Sequence, residues 1–432
     1  MITELKIHNF KSLRKVELSN IPSFMVLVGA NSSGKSNFIK ALQFLFSAMT
    51  KGLSKAIDEF GGYENICFRR MKRARGAIRF AIKYSFPFSG ISAWIALEKE
   101  VNPAWWDSRV MFDYILEFKS SGETIGAPYS VTYEHLHCDI VNSEFKESWF
   151  SFTRKENKID DLKMTNDKNL QRILGFIGSD ARDFFLGRSI PSTELIVEGG
   201  FPFMLSLPIS NYFKTCGAYH LTPDEARRPV DPSGADTYLA KFGGNLASVI
   251  RFLKQEQPED FENIMEHARV AVSSIKDIDN RYTDNKLLSY KLAEEGVRRP
   301  WLPEDVSDGT IQSLCLFIPL EDKRINLAAY DEPENSAHPW IQKHFVKTCV
   351  QKSGEKQIIL ATHSIAALNE VPPESLYIIN RNERGESNIK AATREHPQIK
   401  EIIEEKIMRL GEYWESGAIG GVPIQLEMEF DE

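Results

Sequence analysis

The residues best suited to chemistry form the stretch Gly29-Ala30-Asn31-Ser32-Ser33-Gly34-Lys35-Ser36, which fits G-x-x-x-x-G-K-[ST] at every fixed position. Glycines let the backbone wrap phosphate groups, whose charge is met by successive N–H groups and by the positive end of the following helix. Lys35 is expected to reach the β- and γ-phosphates, and the Ser36 hydroxyl to ligate Mg²⁺. The pattern therefore predicts a nucleoside triphosphate site.

A pair of acids far downstream could complete this site. The run Ile325 to Tyr330 leads into Asp331-Glu332-Pro333, as a strand that ends in two acids would. Asp331 is expected to hold the Mg²⁺ shell, and Glu332 to orient and deprotonate the attacking water. Read alone, this is a common surface turn, but the phosphate loop favours the catalytic interpretation.

A histidine follows a second apolar run. Gln357 to Thr362 reads as a buried strand that ends at His363. Because ligands bind at the carboxyl ends of strands in open α/β sheets, His363 is expected to hydrogen bond the γ-phosphate and to sense its loss. His220, His338 and His344 have no such setting and are predicted to be surface or packing residues.

The stretch around Ser307, Asp308 and Gly309 opens a core-facing helix, because apolar residues recur after it at helical spacing. Ser307 stands where an N-cap belongs, and Gly309 leaves the first turn open to close approach. A helix N-terminus with a free hydroxyl is an anion receptor. One nucleotide does not need two receptors on one chain, so this helix is expected to meet the phosphate held by another copy.

In their order along the chain, these motifs resemble the ABC-class ATPases. More narrowly they resemble the branch that holds SMC, RecF and the OLD-type ATPases of bacterial anti-phage defence. The N-terminal stretch Ile2 to Ser12 and the tail Leu410 to Gly421 are similar to that branch as well. The resemblance covers residues 1 to about 85 and 215 to 432. The quoted motifs are Asn31-Ser32-Ser33-Gly34-Lys35-Ser36, Val306-Ser307-Asp308-Gly309-Thr310, Asp331-Glu332-Pro333-Glu334-Asn335 and Ala361-Thr362-His363-Ser364.

The resemblance implies that two subunits sandwich two ATP molecules with Mg²⁺, as a homodimer or a higher even-numbered oligomer. Ser307 and Gly309 would then contact ATP in trans, and Glu334 to His338 would cross the interface. The chain departs from the common LSGGQ signature, and the negative Asp308 side chain should point away from the phosphate. No glutamine is assigned to the family's Q-loop. The expected ATP ligands are Gly29, Ala30, Asn31, Ser32, Ser33, Gly34, Lys35, Ser36 and Asn37, and the expected metal ligands are Ser36 and Asp331.

The elements that must position these residues predict an α/β protein. The resemblance implies an ABC-ATPase P-loop fold with a mainly parallel core sheet, an antiparallel β-subdomain and a helical second lobe that carries the signature motif. The predicted segments are an N-terminal ATPase lobe at 1–154, an insertion at 155–215, a second lobe at 216–320 and a C-terminal core part at 321–432. Within the insertion, residues 155–210 are predicted to mix charged helical stretches with a Pro-containing loop.

Composition narrows the class of protein. The 432 residues are 42% hydrophobic, and no apolar run is long enough to span a bilayer. The N-terminus lacks a secretory signal, and the five cysteines form no CxxC pair, so reduced thiols in the cytoplasm are expected and a zinc site is not. The net charge of −7 gives no general attraction to nucleic acid. A local basic patch is the candidate nucleic-acid or partner surface, and a solvated loop is the alternative interpretation. It comprises Arg69, Arg70, Lys72, Arg73 and Arg75, with Arg79 close to them in sequence.

Several functions fit these features. The first is an ATP-dependent switch in a defence complex that controls a separate effector, such as a nuclease. The second is a RecF-like ATPase that binds DNA directly in repair. The ATP-binding subunit of a transporter is a third, which the N-terminal stretch disfavours. Too few residues follow His363 for a Toprim nuclease domain of the OLD type, and no coiled-coil heptad run separates the half-sites as in SMC proteins.

Overall fold

A computed structural model describes residues 1–68, 76–87, 108–120, 128–141, 148–165, 189–196, 198, 203–234, 237–420 and 422. By their contacts the residues group into two compact units. The first comprises Met1–Pro22, Lys40–Cys216 and Asn382–Asn388, and the second comprises Ser23–Ile39, Gly217–Arg381 and Ile389–Glu432. The basic patch of Arg69, Arg70, Lys72, Arg73 and Arg75 lies outside the described residues.

The strands and helices are numbered in chain order. The strands are β1 (Ile2–Phe10), β2 (Leu13–Ser19), β3 (Phe24–Val28), β4 (Ile78–Pro87), β5 (Arg109–Ser120), β6 (Tyr129–Val141), β7 (Ser148–Lys155), β8 (Lys158–Met164), β9 (Cys216–Tyr219), β10 (Ile275–Tyr282), β11 (Leu288–Glu294), β12 (Leu327–Asp331), β13 (Gln357–Ala361), β14 (Leu376–Arg381) and β15 (Ser387–Ala391). The helices are α1 (Lys35–Lys51), α2 (Leu53–Glu59), α3 (Tyr63–Ile66), α4 (Phe203–Lys214), α5 (Pro223–Ala226), α6 (Leu246–Glu256), α7 (Pro258–Ala271), α8 (Asp308–Glu321), α9 (Pro339–Lys352), α10 (Ile365–Leu368), α11 (Ala392–Glu395), α12 (Ile399–Glu404) and α13 (Leu410–Glu415).

The first unit is built on a seven-stranded antiparallel sheet in the order β2-β1-β4-β5-β6-β7-β8. Its strands alternate buried and exposed residues, as β4 shows, because one face covers a core and the other meets solvent. Aromatic rings form that core. Phe44 of α1 stacks on Phe80 and Phe118, with ring centroids 5.6 and 5.8 Å apart. The antiparallel sheet predicted for this part of the chain is therefore present.

The second unit contains the phosphate loop and a six-stranded sheet in the order β15-β14-β3-β13-β12-β9. Strands β14, β3, β13 and β12 pair in parallel. Every residue of β3, β12 and β13 is buried, as expected of parallel strands covered on both faces. The core beside the sheet is lined by α6, α7 and α8, whose apolar faces join one hydrophobic cluster.

Two sequence expectations differ in outcome. Helix α8 is present where the apolar spacing predicts it, whereas residues 155–210, predicted to mix charged helical stretches with a Pro-containing loop, include the strand β8 (Lys158–Met164), which pairs antiparallel with β7. Cross-strand pairing outweighs the weak helical preference of this charged stretch. The division into segments 1–154, 155–215, 216–320 and 321–432 stays a prediction.

No helix in the described part of the chain is long and apolar enough to cross a membrane.

Candidate functional site

Three parallel strands end at the same edge of the second unit's sheet. Their register pairs Asp331 at the end of β12 with Ala361 at the end of β13, and Ala361 in turn with Leu27 of β3. The residues that follow these strands are the phosphate loop and His363, which therefore lie next to Asp331. This edge is the one at which open α/β sheets bind ligands. The structure thus brings together the phosphate loop, the acid pair and the histidine that the sequence singles out.

The phosphate loop approaches neighbouring backbone closely. A side chain at Gly29 would place its Cβ atom 2.2 Å from the carbonyl oxygen of Ile379 and 2.8 Å from Ser33 Oγ, so only glycine fits. Gly34 has a φ of 116°, a conformation that glycine adopts without strain, and Ser32 has a φ of 63°. The loop then enters α1 at Lys35, followed by Ser36 and Asn37. The local backbone therefore has the close approach and the positive φ values that the predicted phosphate cradle requires.

Lys35 is held inside the loop. Its side chain is only 4% exposed, and its Nζ donates hydrogen bonds to the carbonyl oxygens of Gly29 (2.7 Å) and Ala30 (3.1 Å). Burial lowers the pKa of Lys35 to about 8, against the opposing attraction of Glu332, Glu334 and Asp331. A phosphate group at the loop would add the negative charge that favours the ammonium form.

The structure also places a histidine at the acid pair. Asp331 is 7% exposed, and its Oδ2 lies 3.6 Å from Nδ1 of His220. The expectation that His220 lacks a setting like that of His363 is therefore wrong, while its ring also packs edge-on against Phe242, as expected of a packing residue. The available signal was that His220 directly follows β9, which neighbours β12 in the sheet, just as His363 follows β13. By contrast, His338 caps α9, where its Nδ1 accepts a hydrogen bond from the Trp340 N–H, and His344 contacts His267.

Glu332, the expected catalytic base, has an unusual backbone conformation. Its φ is 54°, which is uncommon for a residue other than glycine and is found preferentially at functional sites. Its N–H donates to the Ala361 carbonyl at 2.8 Å, and its carboxylate accepts a hydrogen bond from Asn335 Nδ2 at 3.2 Å. These contacts hold the residue next to the strand that precedes His363.

Glu334 ties the acid loop to the histidine. Its carboxylate accepts hydrogen bonds from the His363 N–H (2.7 Å) and the Thr362 hydroxyl (2.9 Å). Burial raises the pKa of Glu334, while these two donors oppose the rise. Burial also lowers the pKa of His363, and Lys35 lowers it further against the opposing effect of Glu332, so the neutral imidazole is favoured. The family resemblance implies that Glu334 belongs to an interface loop, but the sequence gives no sign of this positioning role.

The signature residues stand at the start of α8. Ser307 is its N-cap, and Ser307 Oγ accepts from the Thr310 N–H (3.3 Å) and shares a hydrogen bond with Thr310 Oγ1 (2.7 Å). The expectation of a free Ser307 hydroxyl is therefore wrong, because Thr310 engages it. A Cβ atom on Gly309 would lie 3.2 Å from the Ser336 carbonyl oxygen. The start of α8 thus borders the loop of Glu334 to His338 in the same unit.

Other candidate metal and catalytic groups have structural partners. Among the described residues, no group of three or more His, Cys, Asp or Glu side chains could hold a metal ion. His135 hydrogen bonds Thr153, and His137 pairs with Asp139.

The nucleotide site itself fits ATP with Mg²⁺. It combines the glycine cradle and the buried Lys35 cation with the Ser36 hydroxyl and the Asp331 carboxylate, which are oxygen ligands of the kind Mg²⁺ takes.

Two protein-family models match the chain. Residues 1–199 match the AAA ATPase domain, and residues 220–369 match the AAA domain described as putative AbiEii toxin, Type IV TA system. The phosphate loop lies in the first match, and Asp331, Glu332 and His363 lie in the second. Both matches support an ATP-binding ATPase.

Two kinds of individual protein are also similar to this chain: one curated protein over a short stretch of sequence, and solved SMC head domains with TM-scores below 0.5. A stretch of 64 residues is 41% identical to an uncharacterized protein of Methanocaldococcus jannaschii, and it covers 15% of this chain and 19% of that protein. Solved SMC head domains match with 12–13% identity. An SMC head bound to the C-winged helix domain of ScpA has a TM-score of 0.43 and covers 90% of this chain and 97% of that chain. The head from Thermotoga maritima has a TM-score of 0.36 and covers 90% of this chain and 98% of that chain. The head from Pyrococcus furiosus has a TM-score of 0.45 and covers 94% of this chain and 99% of that chain.

The pKa of Lys35 leads to a pH test. A bound phosphate favours the charged ammonium, so ATP binding above pH 8 requires proton uptake, and affinity should fall as pH rises. The dissociation constant for ATP in EDTA is expected to rise by up to about tenfold per pH unit above pH 8. Titrations of wild type and Lys35→Arg with a fluorescent ATP analogue test this, because arginine stays charged in this range. A flat wild-type profile, or an equally steep profile in Lys35→Arg, would contradict the assignment.

Proposed function

We propose that the chain is a Mg²⁺-dependent ATPase in which two copies close head to tail around ATP, and that it acts as a switch for a separate effector. The observation that carries the ATPase part is the meeting of phosphate loop, acid pair and histidine at one sheet edge. Asp331, Glu332 and Glu334 act electrostatically on Lys35. Such a concentration of acids around one buried cation is characteristic of a nucleotide site that also takes a divalent metal.

Each residue has a distinct role in this proposal. Lys35 binds the β- and γ-phosphates, while Ser36 and Asp331 hold Mg²⁺, which neutralises charge on the phosphate oxygens. Glu332 orients the attacking water and takes its proton. His363 hydrogen bonds the γ-phosphate, and Glu334 fixes the His363 backbone through the 2.7 Å hydrogen bond from its N–H. The expected ATP-binding set from Gly29 to Asn37 keeps its assignment as part of the proposal.

Dimerisation rests on the signature helix. The N-terminus of α8 presents Ser307 and Gly309, and the N–H groups that precede Thr310, whose own N–H donates to Ser307, have no acceptor within the helix. We assign these groups to the phosphates held by the second copy. Gly309 lies so close to Ser336 that an added Cβ atom would be 3.2 Å from the Ser336 carbonyl oxygen. This proximity supports a shared surface of the α8 N-terminus and the loop of Glu334 to His338, and in the dimer both elements would face the partner.

The wider role draws on one of the two family matches. The matched model is described as a putative AbiEii toxin of a type IV TA system. We carry over from that description a role in a system in which this chain acts together with a second protein. We place the chain in the bacterial cytoplasm as the ATPase subunit of an anti-phage defence complex. A separate nuclease is the proposed effector. ATP binding would close the dimer and hydrolysis would open it, so that the effector is held or released.

A second candidate function, nucleic-acid binding in the manner of a RecF-like repair ATPase, is favoured by a polar cavity in the first unit. The cavity measures about 650 Å³, and Arg14, Lys15 and Arg384 give it cationic character, although Arg14 pairs with Glu386 and Lys15 with Glu17. Its remaining lining residues are His8, Asn9, Asn382, Ser387 and Asn388. Phe68 and Ala77, which flank the basic patch in sequence, both hydrogen bond to Asn9 at 2.9 Å. Cationic side chains of this kind bind phosphate backbones.

The role of Glu332 can be tested by one amide substitution. Glu332→Gln is expected to retain ATP binding and to slow turnover by about 10²–10⁴-fold, because the base is lost while the side-chain shape is kept. Lys35→Ala is expected to lose nucleotide affinity instead. Steady-state ATPase assays, paired with a nucleotide-binding control, distinguish the two defects. Turnover at the wild-type rate in Glu332→Gln would remove this residue as the base.

The shared site can be tested by mixing two inactive variants. Lys35→Ala and Ser307→Arg each disable a different half of the composite site, so a heterodimer retains one intact site. Mixtures are expected to recover up to about half of the wild-type ATPase activity per heterodimer, since one site of two is restored. Mixtures that remain inactive although heterodimers form would contradict a site shared between copies.

Nucleic-acid binding can be tested through its salt dependence. If the cavity contacts phosphates, the affinity for duplex DNA falls steeply with salt, and Lys15→Ala with Arg384→Ala reduces the logarithmic slope by about one per lost contact. Lys163→Ala is the matched control, because Lys163 lies in the same unit and pairs with Asp161 outside the cavity. An unchanged slope in the cavity variants would argue against this surface.

A further inference from the structure

Arg227 makes an unusual set of contacts at the start of α8. It directly follows α5, and its side chain is 18% exposed. The guanidinium donates from Nε to the Pro303 carbonyl (3.0 Å) and from Nη2 to the Val306 carbonyl (2.8 Å). The same Nη2 donates to Asp308 Oδ1 at 2.5 Å. One side chain therefore contacts both the turn that leads into the signature helix and the first residue of that helix.

Asp308 raises a charge problem that these contacts answer. It occupies the first position of α8, and its side chain is 60% exposed. A carboxylate at a helix N-terminus stabilises that helix by itself, but there it also repels an incoming phosphate. Arginine stays charged at all relevant pH values and matches a carboxylate by geometry as well as charge. A second acid, Asp224, lies 3.4 Å from Nη1 and is 95% exposed, so it competes weakly for the guanidinium.

We propose that Arg227 is a positioning residue for the signature helix. It neutralises Asp308 and orients its carboxylate, and the N-terminus of α8 can then receive the phosphate of ATP bound by a second copy. This inference rests on the proposed head-to-tail dimer. Arg227 does not itself touch the nucleotide in this scheme. It determines the charge and geometry of the N-terminus of α8, which does.

A purely mechanical role is the alternative. Arg227 also holds the Pro303 and Val306 carbonyls, so its loss could loosen the turn without any effect of charge. The two roles differ in how they respond to removal of the Asp308 charge. If Arg227 acts by neutralisation, Asp308→Asn restores function to a protein that lacks Arg227. If Arg227 acts only through the carbonyls, Asp308→Asn restores nothing.

The experiment measures ATP-dependent dimerisation in the slowly hydrolysing Glu332→Gln protein by sedimentation velocity. ATP binding to each chain is followed separately with a fluorescent analogue. Arg227→Ala is expected to raise the ATP concentration for half-maximal dimerisation by about tenfold while leaving binding per chain unchanged. Adding Asp308→Asn is expected to return that concentration to within about threefold of the parent. Arg228→Ala is the matched control, because Arg228 is the next residue and pairs with Glu225 instead.

Several results would overturn the proposal. Normal dimerisation of Arg227→Ala, or a double variant as impaired as Arg227→Ala, removes the neutralising role. If Arg227→Ala does not fold, Asp308→Asn alone still tests the proposal. Its ATP concentration for half-maximal dimerisation should be no higher than that of the parent, and a higher value contradicts the proposal. A parent protein that stays monomeric with ATP contradicts the dimer itself, whereas a dimerising parent with an unaffected Arg227→Ala contradicts only the role of Arg227.

Discussion

The parallel pairing of β3, β13 and β12 is the constraint on which the candidate site depends. The register aligns Leu27, Ala361 and Asp331 across the three strands, so the segments that follow them leave the sheet side by side. Residues that are far apart in the chain thereby become neighbours. Complete burial of these strands stabilises the pairing, and any shift in register would move Asp331 away from the phosphate loop.

Charge compensation within this edge follows from its burial. Lys35 is almost entirely buried, and loop carbonyl oxygens together with the nearby acids support its charge. Desolvation disfavours the charged form of each group: it lowers the pKa of Lys35 and His363 and raises that of Glu334. Groups whose pKa values are shifted in this way change their protonation readily when an anionic ligand or a divalent cation binds beside them.

Direct contacts link the acid loop that follows β12 to the residues after β13 and to the start of α8. Glu334 connects the acid loop to Thr362 and His363, and Gly309 brings α8 against Ser336 of the same loop. Arg227 in turn secures the start of α8. In the proposed dimer, a movement at the signature helix would thus reach the histidine of the same chain through a short series of direct contacts. Such a series suits a protein whose state is read by another component.

Local patterns in the amino-acid sequence were enough to predict the phosphate loop, the buried strand before it and the Ser307 N-cap. Each of these features depends on residues within a few positions of one another, so spacing and residue type suffice. The partners of Asp331, His363 and Asp308, namely His220, Glu334 and Arg227, became evident only in the folded chain. The same holds for Lys158–Met164, which forms a strand beside β7. These contacts join distant parts of the chain, and strand order and helix packing, which no local pattern encodes, determine which parts meet.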